Sequence, residues 1–351
     1  MPIVPSFLER LLLLRLNQAP GPMLDLSAAV AFRGVVAALR LGLFDSLQEH
    51  RSTAAELAQR LGTDEHGTLM LLRFLESVGY VRQTDGRYAN TPMTTKWLVR
   101  SSPASMAPGL SYWGTILSEL WDDLEGSIRT GRPRTNLYTW IEDRPETSRD
   151  FQTWMVTIAR LTGGEIVRKL KLPATARRVL DVGGGHAMYS IALCRRYPRL
   201  SATVFDSPEA LKTAEATVAA ANMRSRITLR PGNFFQDDLG SGYDVVLLFN
   251  IVHGFSAGQN TELLRKVAAA LNAGGLVAIV EQVAGKAPGP ATRASMEMLS
   301  LSYFHLLGGQ IYTFEDIAGW LRAAGFGNPR RINLLKSPGT SLILGTKGAE
   351  D

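Results

Sequence analysis

The sequence predicts an α/β protein in two parts: a mostly helical N-terminal domain of winged-helix type, then a Rossmann-like, doubly wound sheet. Three observations predict it. From Arg178 onward, apolar strand-like runs alternate with helical patterns, the order that builds a mostly parallel sheet. Val179-Leu-Asp181-Val-Gly183-Gly-Gly185 reads as a buried strand ending in glycines, with a helical pattern from Met188 to Tyr197 behind it. Before residue 100, three helical stretches lead into a short hairpin.

The first domain is expected over residues 1–104. Ser27 to Leu41 has helical apolar spacing. Ser52-Thr53-Ala-Ala-Glu56 is a capping-box pattern opening a helix to Leu61. Thr63-Asp64 opens another, with Leu69, Leu72, Leu75 and Val78 on one face and Gly79 at its end. Tyr80-Val-Arg82, Asp85-Gly86 and Arg87-Tyr-Ala89 read as strand, turn and strand. A winged helix suggests DNA, but the reading helix, His66–Val78, carries Arg73 as its one firm cation. Base readout needs several Arg, Lys, Asn or Gln side chains. Dimerisation is therefore expected, and no nucleic-acid partner.

The run Leu11–Leu14 is too short to span a bilayer. Glu9, Arg10 and Arg15 flank it and no small-residue cleavage site follows, so a signal peptide is not expected. It suits an amphipathic helix buried against a second copy of the chain, so a homodimer away from membranes is expected.

Residues 105–172 read as a helical connector and substrate lid, rich in aromatics: Tyr112, Trp113, Trp121, Tyr138, Trp140, Phe151 and Trp154. Most of these suit a core, with a few left to wall a flat substrate. Lys171-Leu-Pro173-Ala-Thr-Ala marks the boundary to the last domain, 173–351. There, strands are expected at 178–182, 202–206, 227–230, 244–249 and 276–281, and helices at 187–197, 208–222, 259–272 and 314–324. Two final strands, 329–335 and 340–346, join through Lys336-Ser-Pro-Gly-Thr340 as a terminal antiparallel hairpin.

Composition sets bounds. The 351 residues suit about two domains. With 45% hydrophobic and 20% charged residues the chain reads as globular, and its net charge of +6 forms no basic block. One cysteine, Cys194, excludes an intrachain disulfide and a cysteine-based zinc site, and no metal is expected. A reducing cytoplasm fits.

The glycine turn lets backbone pass close to a ligand, and the helix behind it offers free N–H groups. Asp206 closes the next strand, where a carboxylate takes the ribose hydroxyls of an adenosine. The spacing Gly183-x-Gly185-x-x-Met188 lacks the third glycine of the dinucleotide fingerprint. That glycine allows close packing under a pyrophosphate, which a cofactor without phosphates does not need. Asp181, ahead of the glycines, suits a ligand with a free amino group. Both point to S-adenosyl-L-methionine rather than NAD.

The chain resembles the plant-type and bacterial small-molecule O-methyltransferases, the group that includes caffeate and hydroxyindole O-methyltransferases, over nearly its whole length. Phe151-Gln-Thr-Trp-Met155 resembles the family's F-N-x-x-M, and Asp181-Val-Gly-Gly-Gly185 its D-V-G-G-G. Phe205-Asp206-Ser207-Pro208 resembles F-D-L-P, and Gly232-Asn233-Phe234-Phe235 resembles G-D-F-F. Asn250-Ile-Val-His253-Gly254-Phe255 resembles N-V-L-H-D-W. The resemblance implies a winged-helix dimerisation domain and a seven-stranded methyltransferase domain. It implies cofactor contacts from Met155, Asp181, Gly183, Gly185, Asp206, Ser207, Asn233, Phe234 and Asn250. It also implies His253 as general base.

The chemistry agrees. A phenol, with a pKa near 10, needs a base at neutral pH, and an imidazole can serve. His253 follows the fourth strand of the sheet, at the edge where open sheets bind ligands. Glu281 ends the neighbouring strand and is placed to orient the ring; His50, His66, His186 and His305 lack this context. Departures from the family pattern are also present. Gly308-Gly-Gln-Ile311-Tyr-Thr313 stands for G-G-x-E-R-T, so Ile311 replaces a second glutamate. Gly254 and Phe255 replace Asp and Trp, Asn233 replaces the adenine-binding Asp, and Phe249 stands where plant members carry lysine.

The expected function is methyl transfer to a hydroxyl of a small aromatic or polyketide-like metabolite. The alternatives are carbon or nitrogen methylation, non-methylating chemistry on the same cofactor, a small-molecule-sensing DNA-binding regulator, and an NAD-dependent oxidoreductase.

Overall fold

The computed structural model describes residues 5–18, 20–285, 287 and 289–348. The chain divides into two compact units. One comprises residues up to Glu119 together with Arg149–Thr157; the other comprises Leu120–Ser148 and Ile158 onward.

In the first unit, helices Met23–Arg40, Leu43–Glu49, Ala54–Leu61 and Glu65–Ser77 precede a hairpin of β1 (Val81–Thr84) and β2 (Arg87–Asn90). The capping box forms: the Thr53 hydroxyl accepts the Glu56 N–H and the Glu56 carboxylate accepts the Thr53 N–H. Asp64 caps the next helix through the Gly67 N–H. The hairpin turns on Asp85 (φ 51°) and Gly86 (φ 74°), the positive pair that matches strand twist in a two-residue loop. Leu39, Phe44, Leu57, Leu72, Leu75 and Tyr88 form the core beneath it. Tyr112, Trp113, Phe151 and Trp154 pack as an aromatic cluster, with ring centroids 5.2 to 6.5 Å apart.

At the start of the chain, helix Phe7–Arg10 runs into a π-helical turn, Leu11–Arg15. Phe7, Leu8, Leu14, Leu16, Leu26 and Val30 are each more than half exposed in the single chain. Among the described residues no single helix is long and apolar enough to cross a membrane. Met23–Arg40 and Leu43–Glu49 pass that test only as a pair bent by 59°.

The second unit is a seven-stranded sheet in the order β5-β4-β3-β6-β7-β9-β8. Its strands are β3 (Arg178–Val182), β4 (Ser201–Asp206), β5 (Ile227–Pro231), β6 (Tyr243–Phe249), β7 (Leu271–Gln282), β8 (Phe326–Asn333) and β9 (Thr340–Lys347). β3 to β7 run parallel, and β9 is antiparallel to both its neighbours, so the terminal hairpin forms as expected. Alternate residues serve opposite faces. Val179, Val204, Val245, Leu247 and Ala278 pack under helix Met188–Arg196, which carries the buried Cys194. Leu180, Phe205, Val246, Leu248 and Ile279 pack under helices Ala257–Ala270 and Phe314–Ala323. Strands buried on both sides account for the unbroken apolar runs.

The strand order reverses at β3, between β4 and β6, and the crevice outside the strand ends at that point is where open α/β sheets bind ligands. Three helices are missing from the sequence reading: Leu43–Glu49 and Pro92–Trp97 in the first unit, and one in the second. Pro290–Leu307 is an 18-residue helix between β7 and helix Phe314–Ala323. Its polar N-terminal half hid the periodicity of Met296, Leu299, Tyr303 and Leu306.

Candidate active site

The glycine turn carries the backbone that the sequence required. Gly183 (φ 68°) and Gly185 (φ 30°) lie in the left-handed region, and the Gly183 N–H donates to Phe205 O at 2.8 Å. A Cβ on Gly183 would be strained at this positive φ and would press on Ile251 Cδ1, 2.2 Å away. Asp206 holds the turn: its Oδ2 accepts the Gly185 N–H at 2.8 Å and its Oδ1 accepts the Ser207 N–H at 2.7 Å. Each oxygen keeps a lone pair for a ligand hydroxyl, and burial pushes the carboxyl upward. Asp181, 1% exposed, lies under the turn and accepts the Ser190 hydroxyl at 2.7 Å. Two carboxyls starved of water suit a cationic ligand carrying a ribose.

Around this turn, the Ser207 hydroxyl caps helix Pro208–Ala220 through the Ala210 N–H. The Asn233 amide oxygen accepts the Phe235 N–H at 2.9 Å, closing an Asx turn. Its amide nitrogen and its second oxygen lone pair remain for a ligand edge. The Phe234 ring packs against Phe235 and Phe255 at 5.0 and 5.7 Å between centroids. Asn250 sits in the left-handed region (φ 57°) at the end of β6, its N–H on Val280 O at 2.8 Å. Met155, on helix Pro145–Lys169, falls in the 149–157 stretch that clusters with the first unit. His186 lies beside the turn, its Nδ1 accepting the Met188 N–H at 3.1 Å. Burial pushes its imidazole down to about 4, so it is neutral at physiological pH.

His253 occupies the 3-10 turn Val252–Gly254 just past β6, and Glu281 the end of β7. The pairing β6–β7 brings them together: His253 Nδ1 lies 2.8 Å from Glu281 Oε1. Glu281 is fully buried and His253 is 7% exposed. With Nδ1–H given to the carboxylate, Nε2 is left as an acceptor, the state required of a base. Asn260, fully buried, pins the turn by donating to Val252 O at 2.9 Å and Phe255 O at 3.1 Å. Gly309 closes on the other side, where a Cβ would sit 2.0 Å from His253 O. Ile311 is 7% exposed, and its N–H donates to the Ser300 hydroxyl at 3.2 Å.

A family model for an O-methyltransferase domain matches residues 121–327, and one for an O-methyltransferase dimerisation domain matches 26–100. The chain belongs to this O-methyltransferase family. A curated relative, the 3-hydroxy-5-methyl-1-naphthoate 3-O-methyltransferase of Streptomyces sahachiroi, is 32% identical over 89% of this chain and 91% of its own. The L-tyrosine C(3)-methyltransferase of Streptomyces lavendulae is 29% identical over 92% and 91%. The crystal structure of human N-acetylserotonin methyltransferase in complex with SAM superposes with a TM-score of 0.82. It is 25% identical and covers 99% of this chain and 100% of that one.

One residue beside His253 was not singled out from the sequence. Tyr303, on the unread helix, stacks on His253 with centroids 3.9 Å apart and planes 19° from parallel. Tyr138, one of the aromatics read as possible substrate walls, lies on the short helix Leu137–Glu142 and is 45% exposed. The protein around it pushes its hydroxyl up to about 12, with the charges of Asp206 and Glu281 adding. The spacing Met296, Leu299, Tyr303, Leu306 behind Gly289-Pro290 was the available signal for the helix; no local signal marks the stack.

Proposed function

We propose that the chain, as a homodimer, methylates a hydroxyl of a small aromatic or polyketide-like metabolite, with S-adenosylmethionine as methyl donor and His253 as general base. The observation that carries this reading is the His253–Glu281 pair at 2.8 Å, at the ends of β6 and β7, with β6 beside the strand that ends in the glycine turn. Asp206 takes the ribose hydroxyls and Gly183 to Gly185 pass beneath the ligand. Asp181 supplies negative charge, and Met155, Ser207, Asn233, Phe234 and Asn250 complete the contacts. When bound, S-adenosylmethionine supplies an electrophilic methyl on a sulfonium whose charge vanishes on transfer.

The protein's part is to prepare the acceptor. Nε2 of His253 takes the hydroxyl proton as the oxygen attacks. The buried Glu281 carboxylate balances the imidazolium so formed, in surroundings where water screens little. Ile311 adds no charge and keeps that wall apolar. The naphthoate O-methyltransferase among the relatives supports a two-ring hydroxyaromatic acceptor. The test is mass spectrometry with isotope-labelled S-adenosylmethionine and a panel of hydroxyaromatics that includes 3-hydroxy-1-naphthoate. His253→Ala is expected to lower single-turnover methyl transfer by about two orders of magnitude; an unchanged rate removes the base.

A second reading is methylation of a ring carbon beside the hydroxyl. The L-tyrosine C(3)-methyltransferase relative favours it, and the same deprotonation places negative charge on the neighbouring carbon. NMR of the labelled product separates the two, since an O-methyl and a C-methyl carbon resonate far apart.

A further inference from the structure

We propose that Tyr303 is a positioning residue that holds the His253 ring in plane; this rests on the base reading above. A ring tethered only through Nδ1 can swing about that one bond, and its Nε2 swings with it. Tyr303 lies flat against the ring, with centroids 3.9 Å apart and 19° between planes, and so removes that freedom. Tyr303 is itself fixed: its hydroxyl donates to Gln282 Oε1 at 3.2 Å, and its backbone belongs to the helix Pro290–Leu307. Glu281 and Gln282 are consecutive on β7, so one strand end tethers both rings.

The stack also discriminates between states. The face of a phenol ring carries negative quadrupole, which attracts a cation more than a neutral ring. The contact strengthens as His253 takes the proton, which is what an effect on rate requires. Among the described residues, Glu281 from β7 and Tyr303 from the helix are the titratable groups hydrogen-bonded to or stacked on the imidazole. Tyr312 reaches the same turn through Phe255 O, at 2.6 Å. Ile311 offers no charge, so the Tyr303 face is the second source of stabilisation beside Glu281.

The test uses the full chain with 3-hydroxy-1-naphthoate or whichever panel hydroxyaromatic accepts label. Tyr303→Phe keeps the ring and is expected to stay within about twofold of wild type. Tyr303→Leu is expected to lose about tenfold in kcat with little change in KM. Should Tyr303→Leu unfold, Tyr303→Met fills the space and takes its place. A wild-type kcat in the aliphatic variant overturns the proposal. So does a Phe variant as slow as Leu, which would make the hydroxyl the active group. His253→Ala in the same assay separates the readings: wild-type turnover there sinks the base, whereas a slow His253→Ala beside a normal Tyr303→Leu sinks only the positioning role. Without any acceptor, ring-to-ring NOEs between His253 and Tyr303 are expected in the S-adenosylhomocysteine complex, and their absence overturns the stack.

Discussion

Glu281 meets His253 at two points: Oε1 takes the ring Nδ1–H at 2.8 Å, and Oε2 faces the His253 main-chain N–H at 3.4 Å. One buried carboxylate thus sets both the tautomer of the ring and the position of the turn that carries it. Glu281→Gln keeps the shape and an acceptor but removes the charge that balances the imidazolium. It is expected to lower kcat by about 10- to 100-fold with KM little changed. Affinity for S-adenosylhomocysteine, measured by calorimetry, should stay the same. A parallel loss of cofactor affinity would mean that Glu281 serves the cleft rather than the base.

Asp181, as a proposed cofactor contact, is expected to make cofactor binding depend on pH. Burial pushes its carboxyl up to about 7, the Ser190 hydrogen bond drawing it partly back and the charge of Asp206 adding to the rise. In the free chain the neutral acid therefore prevails below about 7. Its contribution to stability is full below the ordinary 3.8 and is lost as pH climbs towards 7. A cationic ligand favours the ionised form, so S-adenosylmethionine should bind more tightly as pH rises to about 7 and release a proton below it. S-adenosylhomocysteine, lacking the sulfonium, should show a shallower slope. Asp181→Asn should flatten the dependence, with Asp206 leaving a remainder; an unchanged slope in that variant, read by calorimetry across pH, would rule Asp181 out.

Much of this was legible in the sequence because it is encoded locally. The glycine turn, the acid at the end of β4 and the alternating apolar runs are each written within a dozen residues. Pairing of β6 with β7 then places His253 beside Glu281, as topology alone requires. What was not legible depends on distant chain. Helix Pro290–Leu307 opens with polar residues, so its apolar stripe is carried only by its second half. The Tyr303 stack joins positions 253 and 303 through packing that no spacing records. The Asn260 clamp on the 252–255 turn reads locally as one more polar residue in an amphipathic helix, and only its full burial shows its work.

Gly309 is expected to be intolerant of any side chain, for steric reasons. An added methyl would sit 2.0 Å from His253 O and 2.8 Å from Gly254 C, both backbone atoms. The turn cannot retreat freely, since Asn260 and the Tyr312 hydroxyl grip Val252 O and Phe255 O. Gly309→Ala should cost about 1–3 kcal/mol of stability, the usual range for overpacking. Turnover should fall by about tenfold or more as Nε2 is displaced. Binding of S-adenosylhomocysteine should persist, because the glycine turn is untouched. Full activity in this variant, at an unchanged melting temperature, would show that the turn yields.

Glu165 offers a test of the fold separate from the chemistry. Its side chain, 3% exposed, accepts the Leu335 and Lys336 N–H groups at 2.8 Å each and pairs with Lys169 Nζ at 2.8 Å. Helix Pro145–Lys169 is thereby tied to the loop between β8 and β9. Burial alone would raise this carboxyl, but Lys169 and the two N–H groups outweigh it and hold it down to about 2. A folded value below the ordinary 4.5 means that the stabilisation is complete above about 4.5 and is lost as pH falls towards 2. Glu165→Ala strands two N–H donors and should lower stability by about 2–4 kcal/mol at neutral pH. The deficit against wild type should shrink as the medium is acidified. Thermal melts of both proteins from neutral to acid pH measure it. A difference that stays constant across that range would mean that the side chain acts by packing and not by its charge.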